Sequence, residues 1–260
     1  PMDLNLAGNT ALVTGSYRGT GRGIARVLAV EGAHVLIHGF EAGQAEATVI
    51  ELKAEGLSAE AVTADIRTDA GADQLATVAD RAHVLVNNYG APGGSSWSSM
   101  AKWTDEWNVN VLAAVRVTQL CLPAMRERGW GRIIFMGTVG TQQPGQRNAG
   151  YYGAKTALPT LVRTLAMELR GTGVTANLVS PGMIATDEVR AMVTRRAERD
   201  GSAASWPEAE RWALDNSMPN LTERLPEPED IGKVVAFVAS EAAWHMTGAD
   251  IAVDGGARDA

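Results

Sequence analysis

The feature that most constrains the fold is a short apolar run that leads through a glycine-rich segment into a helical pattern. Residues 10–14 read Thr-Ala-Leu-Val-Thr, which is typical of a buried strand in a parallel sheet. Gly15, Gly19 and Gly21 follow at once, and residues 24–28 then place apolar side chains at helical spacing. A strand, a glycine loop and a helix in this order begin a nucleotide-binding α/β unit. The segment therefore predicts an α/β fold whose first loop holds a dinucleotide.

The glycine loop has a physical reason to bind phosphate. Glycines let the backbone approach a pyrophosphate, and the helix N-terminus that follows offers free N–H groups and a partial positive charge. The spacing is G-x-x-x-G-x-G rather than the commoner G-x-G-x-x-G, so a flexible surface loop is the alternative. The flanking strand and helix favour nucleotide binding. The predicted cofactor contacts in this loop are Gly15, Tyr17, Arg18, Gly19, Thr20 and Gly21.

Six further apolar runs alternate with helical patterns along the chain. The predicted strands cover residues 33–37, 61–64, 83–86, 132–136, 175–179 and 249–253. The predicted helices cover residues 42–56, 102–128, 151–169 and 229–239. This alternation predicts a Rossmann-type, doubly wound, seven-stranded parallel sheet with helices on both faces. With no internal repeat or linker, we expect residues 1–260 to form one domain.

The end of the second strand bears on which nicotinamide cofactor is bound. An acidic residue there would bind the adenosine ribose hydroxyl, but Gly39 and Phe40 come first and Glu41 only after them. Gly39 and Phe40 are the predicted cofactor contacts at this strand end. Arg18 in the glycine loop lies close to where a 2′-phosphate would be held. The pattern favours NADP(H), and NAD(H) stays possible because Glu41 could still turn inward.

Polar and glycine-containing motifs follow the later strands. Ligands in open α/β sheets bind outside the carboxyl ends of the strands, so motifs that recur there support one another. Asp65 could accept from an adenine amino group or could cap the next helix. The predicted cofactor contacts beyond the first two strands are Asp65, Ile66, Asn88, Tyr89, Gly90, Tyr151, Lys155, Pro181, Gly182, Ile184 and Thr186.

A tyrosine and a lysine stand four residues apart at Tyr151 and Lys155. On a helix this spacing places both on one face, and the ammonium would lower the pKa of the phenol towards neutrality. Such a pair suits proton transfer, although a solvated helix face is the alternative. Tyr152 is a weaker candidate because the residue four after it is Thr156. Thr138 places a hydroxyl at the end of the fifth strand.

Two further segments are candidates for the substrate side. Residues 91–99 are rich in Gly, Pro and Ser and include Trp97, as expected of a loop. Residues 187–226 are long, polar and punctuated by prolines and tryptophans, which is typical of a functional lid. For Asn110, within the predicted helix 102–128, the pattern alone favours an exposed position.

Composition excludes several classes of function. A net charge of −7 argues against nucleic acid as the main partner. The single cysteine, Cys121, lies in an apolar helical run and is expected to be a core residue. The four histidines show no metal-ligand spacing, no apolar run spans a membrane and no signal peptide is apparent, so we expect a cytoplasmic protein without a metal.

Taken together, these motifs resemble the short-chain dehydrogenase/reductase family over nearly the whole chain. The matching segments are Thr14–Gly21 for the cofactor loop, Asp65, residues 87–90 for an Asn-Asn-Ala-Gly turn, Asn110, the pair Tyr151 and Lys155, and residues 181–186. The resemblance implies that Tyr151 is the general acid/base, that Lys155 lowers its pKa and binds the nicotinamide ribose, and that Asn110 holds a water. Thr138 stands in the slot of a substrate-orienting serine, and Tyr89 replaces the usual alanine.

The resemblance further implies hydride transfer between a nicotinamide and a ketone or secondary alcohol, as in 3-oxoacyl reductases. The predicted substrate contacts are Tyr89, Trp97, Thr138, Gly140, Tyr151, Met183 and Trp206. The aromatic content of the lid suggests a mainly apolar substrate. Alternatives are an NAD-dependent alcohol dehydrogenase and a catalytically silent nucleotide-binding regulatory protein. The apolar surface of helices 102–128 and 151–169 suits a homotetramer or homodimer, as is common in the family.

Overall fold

A computed structural model describes residues 3–95, 97–202 and 205–257 and contains one seven-stranded sheet. Its strands, in chain order, are β1 Thr10–Val13, β2 His34–Gly39, β3 Ala59–Thr63, β4 Val84–Asn87, β5 Gly131–Met136, β6 Val174–Pro181 and β7 Asp250–Val253. The order across the sheet is β3-β2-β1-β4-β5-β6-β7, and each neighbouring pair is parallel. The predicted fold class is confirmed, with strand ends shifted by two residues at most.

Helices connect the strands. They are α1 Gly19–Val30, α2 Gln44–Ala54, α3 Asp69–Ala72, α4 Ala76–Ala79, α5 Met100–Trp107, α6 Ala113–Arg128, α7 Ala149–Glu168, α8 Asp187–Arg199, α9 Trp206–Asn216 and α10 Pro228–Ala239. The predicted helix 102–128 is not regular, because a π-helical segment, Asn108–Leu112, separates α5 from α6.

Side chains of the central strands alternate between two cores. In β1, Ala11 and Val13 pack with α1 and α10, whereas Leu12 packs on the opposite face with α6 and α7. Both faces of the sheet are therefore covered, which explains why its strands are continuous apolar runs. Cys121 is fully buried in the second core, as predicted.

The strand order fixes where a site can form. The chain builds β1, β2 and β3 outwards in one direction and then returns to place β4 on the other side of β1. The crevice outside the carboxyl ends of β1 and β4 is thus the topological switch point. The loops that begin at Gly15 and at Asn88 meet in that crevice.

The segment 187–226 contains two helices that pack on each other. Val193 and Ala197 of α8 bury themselves against Ala209 and Ala213 of α9 in a small separate core. Thr186 caps α8 by accepting a hydrogen bond from the N–H of Val189 at 3.3 Å. Within the described part of the chain, no helix is long and apolar enough to cross a membrane.

Candidate active site

The glycine loop after β1 is held against the turn after β4. Gly15 and Gly19 have φ angles of +64° and +54°, which favour glycine. A Cβ on Gly21 would lie 2.5 Å from Asn88 Nδ2 and 2.7 Å from the carbonyl oxygen of Gly15. Only glycine allows α1 to start this close to the neighbouring turn.

Thr14 joins the two turns through its side chain and its carbonyl. Its Oγ1 accepts hydrogen bonds from the N–H groups of Asn88 and Tyr89, both at 3.0 Å. The side-chain amide of Asn88 donates to the Thr14 carbonyl at 2.8 Å. The motifs after β1 and β4, predicted separately, therefore form one structural unit.

His38 holds the glycine loop in place through a hydrogen bond, a role that the sequence did not indicate. Its Nδ1 accepts from the N–H of Gly15 at 3.0 Å, and its Nε2 lies 3.0 Å from the carbonyl of Ala64. These partners assign the proton of a neutral imidazole to Nε2. Burial lowers the pKa of His38 to about 4, so the ring stays neutral near pH 7. The sequence signal for this role was a histidine near the end of a predicted buried strand.

The predicted adenine contact is already engaged by a neighbour. Arg67 binds both carboxylate oxygens of Asp65, at 2.8 and 3.0 Å, and holds the pKa of that carboxyl below its usual range. The Arg67 guanidinium also lies over the ring of Phe40, 5.4 Å from its centroid. Phe40 packs on Tyr89 with 4.5 Å between ring centroids. Tyr89, in the alanine position, thus connects the turn after β4 to the end of β2.

Tyr151, Thr138 and Lys155 converge where β5 ends against α7. The hydroxyl of Thr138 and the phenol of Tyr151 both line the same end of the cleft. Lys155 is buried and donates from Nζ to the carbonyl of Met136 at 2.8 Å. A Cβ on Gly90 would lie 2.8 Å from both Lys155 Nζ and Asn110 Oδ1. The glycine turn after β4 therefore reaches the lysine and the asparagine.

Asn110 is buried, with 2% of its surface exposed, so the exposed position favoured by the pattern is wrong. Its amide donates to the carbonyls of Ala91 and Glu106, at 3.1 and 3.0 Å, and to the Glu106 carboxylate at 3.0 Å. Glu106 lies near the end of α5, and Asn110 lies in the π segment that follows it. Such π turns are frequent at functional sites. Its Oδ1 is buried without a partner in the described chain.

Two residues that position this centre were missed. Glu106 is buried, and its Oε1 accepts from the N–H of Gly93 at 2.6 Å while Oε2 binds Asn110. Ser95 is also buried and accepts from the N–H of Gly150 at 2.7 Å, next to the tyrosine. For Glu106, its spacing of four residues from Asn110 was a usable sequence signal. For Ser95, no local pattern indicated the role.

Burial sets the protonation of the tyrosine and the lysine. It raises the pKa of Tyr151 to about 12, and the neighbouring Thr138 hydroxyl opposes this rise only in part. Burial also lowers the pKa of Lys155 to about 8. Desolvation is the largest influence on the phenol, and the Lys155 ammonium donates to the carbonyl of Met136.

A cleft of about 460 Å³ joins the glycine loop to this centre. The predicted residues that line it are Gly15, Tyr17, Arg18, Gly19, Thr20, Gly21, Asn88, Tyr89, Gly90, Thr138, Tyr151, Lys155, Pro181, Gly182, Ile184 and Thr186. Asn110 lies behind the lining and reaches Gly90. Most of the predicted cofactor and catalytic positions are therefore brought together.

The remaining predicted residues do not line the cleft. On the adenine side these are Gly39, Phe40, Asp65 and Ile66, and on the substrate side Trp97, Gly140, Met183 and Trp206. Ile66 is 1% exposed because it packs in the second core.

The four substrate-side residues have other partners or face solvent. Trp97 is 85% exposed and packs on Trp103 beside a separate depression. Gly140 donates to Thr138 Oγ1 at 3.1 Å, and Met183 is exposed. Trp206 packs in the small core of α8 and α9, under the guanidinium of Arg190.

Comparisons with known proteins agree on one family. A family model described as short chain dehydrogenase matches residues 9–197. An uncharacterized oxidoreductase, YvaG of Bacillus subtilis, is 35% identical over 98% of both chains. The 3-oxoacyl-[acyl-carrier-protein] reductase FabG of Pseudomonas aeruginosa is 33% identical over 97% of this chain and 98% of its own. The crystal structure of L-sorbose reductase from Gluconobacter frateurii, complexed with NADPH and L-sorbose, superposes over 100% of both chains with a TM-score of 0.90 at 29% identity.

Proposed function

Because the chain belongs to the short-chain dehydrogenase family, we propose that it is an NADP(H)-dependent oxidoreductase acting on a ketone or secondary alcohol. The observation that carries the proposal is the convergence of Tyr151, Thr138 and Lys155 at one end of a cleft whose other end is the glycine loop. A proton donor, an orienting hydroxyl and a buried cation in one crevice are what carbonyl reduction needs.

The residues of the cleft fit a dinucleotide. Among the described residues no N-cap side chain binds the first turn of α1, and Gly19, Thr20 and Gly21 of that turn line the cleft, so its N–H groups are available to an anion. Gly90 leaves space that a Cβ would fill, next to Lys155 Nζ and the unpartnered Asn110 Oδ1. We propose that the glycine loop and Arg18 hold the phosphates and that Lys155 and Asn88 hold the nicotinamide half.

Bound NADP(H) supplies or accepts the hydride. In the reductive direction, Thr138 donates a hydrogen bond to the carbonyl oxygen and fixes its position. Tyr151, kept protonated by its raised pKa, gives its proton to the oxygen as negative charge develops there. Lys155 then stabilises the phenolate that remains. Asn110, held by Glu106, positions the route by which a proton returns to Tyr151 and Lys155.

We propose that α8 and α9 act as a lid over the substrate. The lid tryptophans give no reason to choose an apolar substrate, since Trp206 and Trp212 pack in the lid core. A polar ketose and a 3-oxoacyl group, the chemistries named for two relatives, are the substrate classes to test first. The intact proton-transfer centre argues against a silent regulatory protein.

The test is NADPH oxidation over a panel that includes ketoses and 3-oxoacyl thioesters, with NADH in parallel. Arg18→Ala should lower the ratio of kcat/KM for NADPH over NADH about tenfold, because a charged contact to the 2′-phosphate is lost. Equal losses for both cofactors would favour the NAD-dependent alternative. If no substrate in a wide panel is turned over, the result would favour the alternative of a catalytically silent regulatory protein.

The pH dependence follows from Lys155. With its pKa lowered to about 8, the lysine carries charge below that pH and loses it above. We expect kcat for carbonyl reduction to be level near pH 7 and to fall about tenfold per pH unit well above pH 8. Stopped-flow measurement of the chemical step from pH 6 to 10 checks this, and a profile flat to pH 10 would contradict it.

We further propose a homodimer or homotetramer that buries apolar side chains exposed on the long helices. Met167 near the end of α7 and Leu112 before α6 are 73% and 43% exposed. Light scattering on the purified protein measures its mass in solution and so tests the proposed oligomeric state. A cytoplasmic location stays a prediction from the sequence.

A further inference from the structure

An anion of the protein itself already faces the start of α1. The carboxylate of Glu188, in the first turn of α8, places Oε1 2.9 Å from Arg18 Nη1. Its Oε2 lies 4.0 Å from the position that a Cβ would take on Gly19. Glu188 also lines the main cleft. Because a helix N-terminus attracts anions, this carboxylate lies close to the place at the glycine loop where a phosphate is expected.

We propose that Glu188 sets the cofactor affinity by competing with the phosphates of NADP(H) for Arg18 and the first turn of α1. The inference rests on the proposed function, since it takes that cofactor as the competing ligand. A carboxylate and a phosphate carry charges of the same sign, so they repel each other and would compete for one guanidinium. Cofactor binding therefore requires Glu188 to release Arg18, and this release removes one ion pair between α8 and α1.

A role for Glu188 in stabilising α8 alone can be distinguished from competition with the cofactor. Acids in the first turn stabilise a helix, and Glu188 interacts with its own N–H and with the hydroxyl of Thr186. Asp187 lies in the same turn and makes the corresponding ion pair with Arg22 at 3.5 Å, but it does not line the main cleft. Asp187→Asn removes the same charge from the same turn and is a matched control.

The test is the Kd of NADPH for the full chain, measured by NADPH fluorescence at low and at high ionic strength. Glu188→Gln should bind NADPH about fivefold more tightly at low salt, because a like charge beside the phosphates is removed. The gain should shrink at high salt, where exposed charges are screened. Asp187→Asn should change the Kd by less than about twofold.

Thermal unfolding of both variants shows whether they fold. If Glu188→Gln does not, Glu188→Asp keeps the charge but shortens the reach, and it should give a smaller gain. Unchanged or weaker NADPH binding by Glu188→Gln, or equal gains in both neutral variants, would overturn the role of Glu188 alone. Failure of the unaltered chain to bind NADPH or NADH would overturn the proposed function with it.

Discussion

Tyr151→Phe is expected to lower kcat for carbonyl reduction about a thousandfold while leaving the Kd of NADPH within about twofold. The substitution removes the only proton that the tyrosine can give and keeps the ring that packs edge-on against Tyr152, with 5.3 Å between centroids. Steady-state kinetics on any ketone accepted in the panel, with NADPH titration by fluorescence, measures both quantities.

The matched control is Tyr152→Phe, one residue along the same helix. The Tyr152 backbone carbonyl accepts from the hydroxyl of Thr156 at 2.7 Å, a bond that the variant keeps. Since Tyr152 does not line the cleft, we expect its kcat to stay within about threefold of the parent. Comparable losses in the two variants, or near-normal turnover by Tyr151→Phe, would show that the proton comes from another group.

Gly90→Ala should lower kcat/KM about a hundredfold. The new methyl carbon would lie 2.8 Å from Lys155 Nζ and from Asn110 Oδ1, so at least one of them must move. A displacement of about 1 Å at a reacting centre lowers the rate by about two orders of magnitude. The same kinetics measure the loss, and circular dichroism reports whether the fold persists.

Gly145→Ala is the control for the alanine substitution. A Cβ there has no neighbour closer than 3.9 Å, and the φ of −80° is ordinary for alanine. It should retain activity within about twofold, because neither a clash nor backbone strain is introduced. Parental activity in Gly90→Ala would mean that Lys155 and Asn110 do not need their present positions.

The sequence was informative wherever the signal was local. The apolar runs, their alternation with helical patterns and the glycine loop after β1 predicted the sheet and the place of the cleft. The choice of Tyr151 over Tyr152 also followed from spacing, since helical periodicity puts Lys155 under the first tyrosine. These features depend on residues a few positions apart.

On the adenine and substrate sides, the sequence did not indicate which neighbours the predicted side chains would contact. Asp65 is held by Arg67, and Trp206 is taken up by the small core of α8 and α9. Neither partner choice follows from composition or period. The pattern likewise gave an exposed place to Asn110, which the fold buries against Glu106 and the loop carbonyl of Ala91.

What the sequence by itself determined is the architecture and the edge of the sheet at which the candidate site lies, because the apolar periodicity of strands and helices and the motifs after the strands are encoded in short segments. Only the tertiary structure decided the protonation of the centre and its electrostatic partners. Burial raises the pKa of Tyr151 and lowers that of Lys155, and packing brings Glu188 to Arg18 across 170 positions of chain. Desolvation and long-range pairing depend on the whole fold, so no local pattern records them.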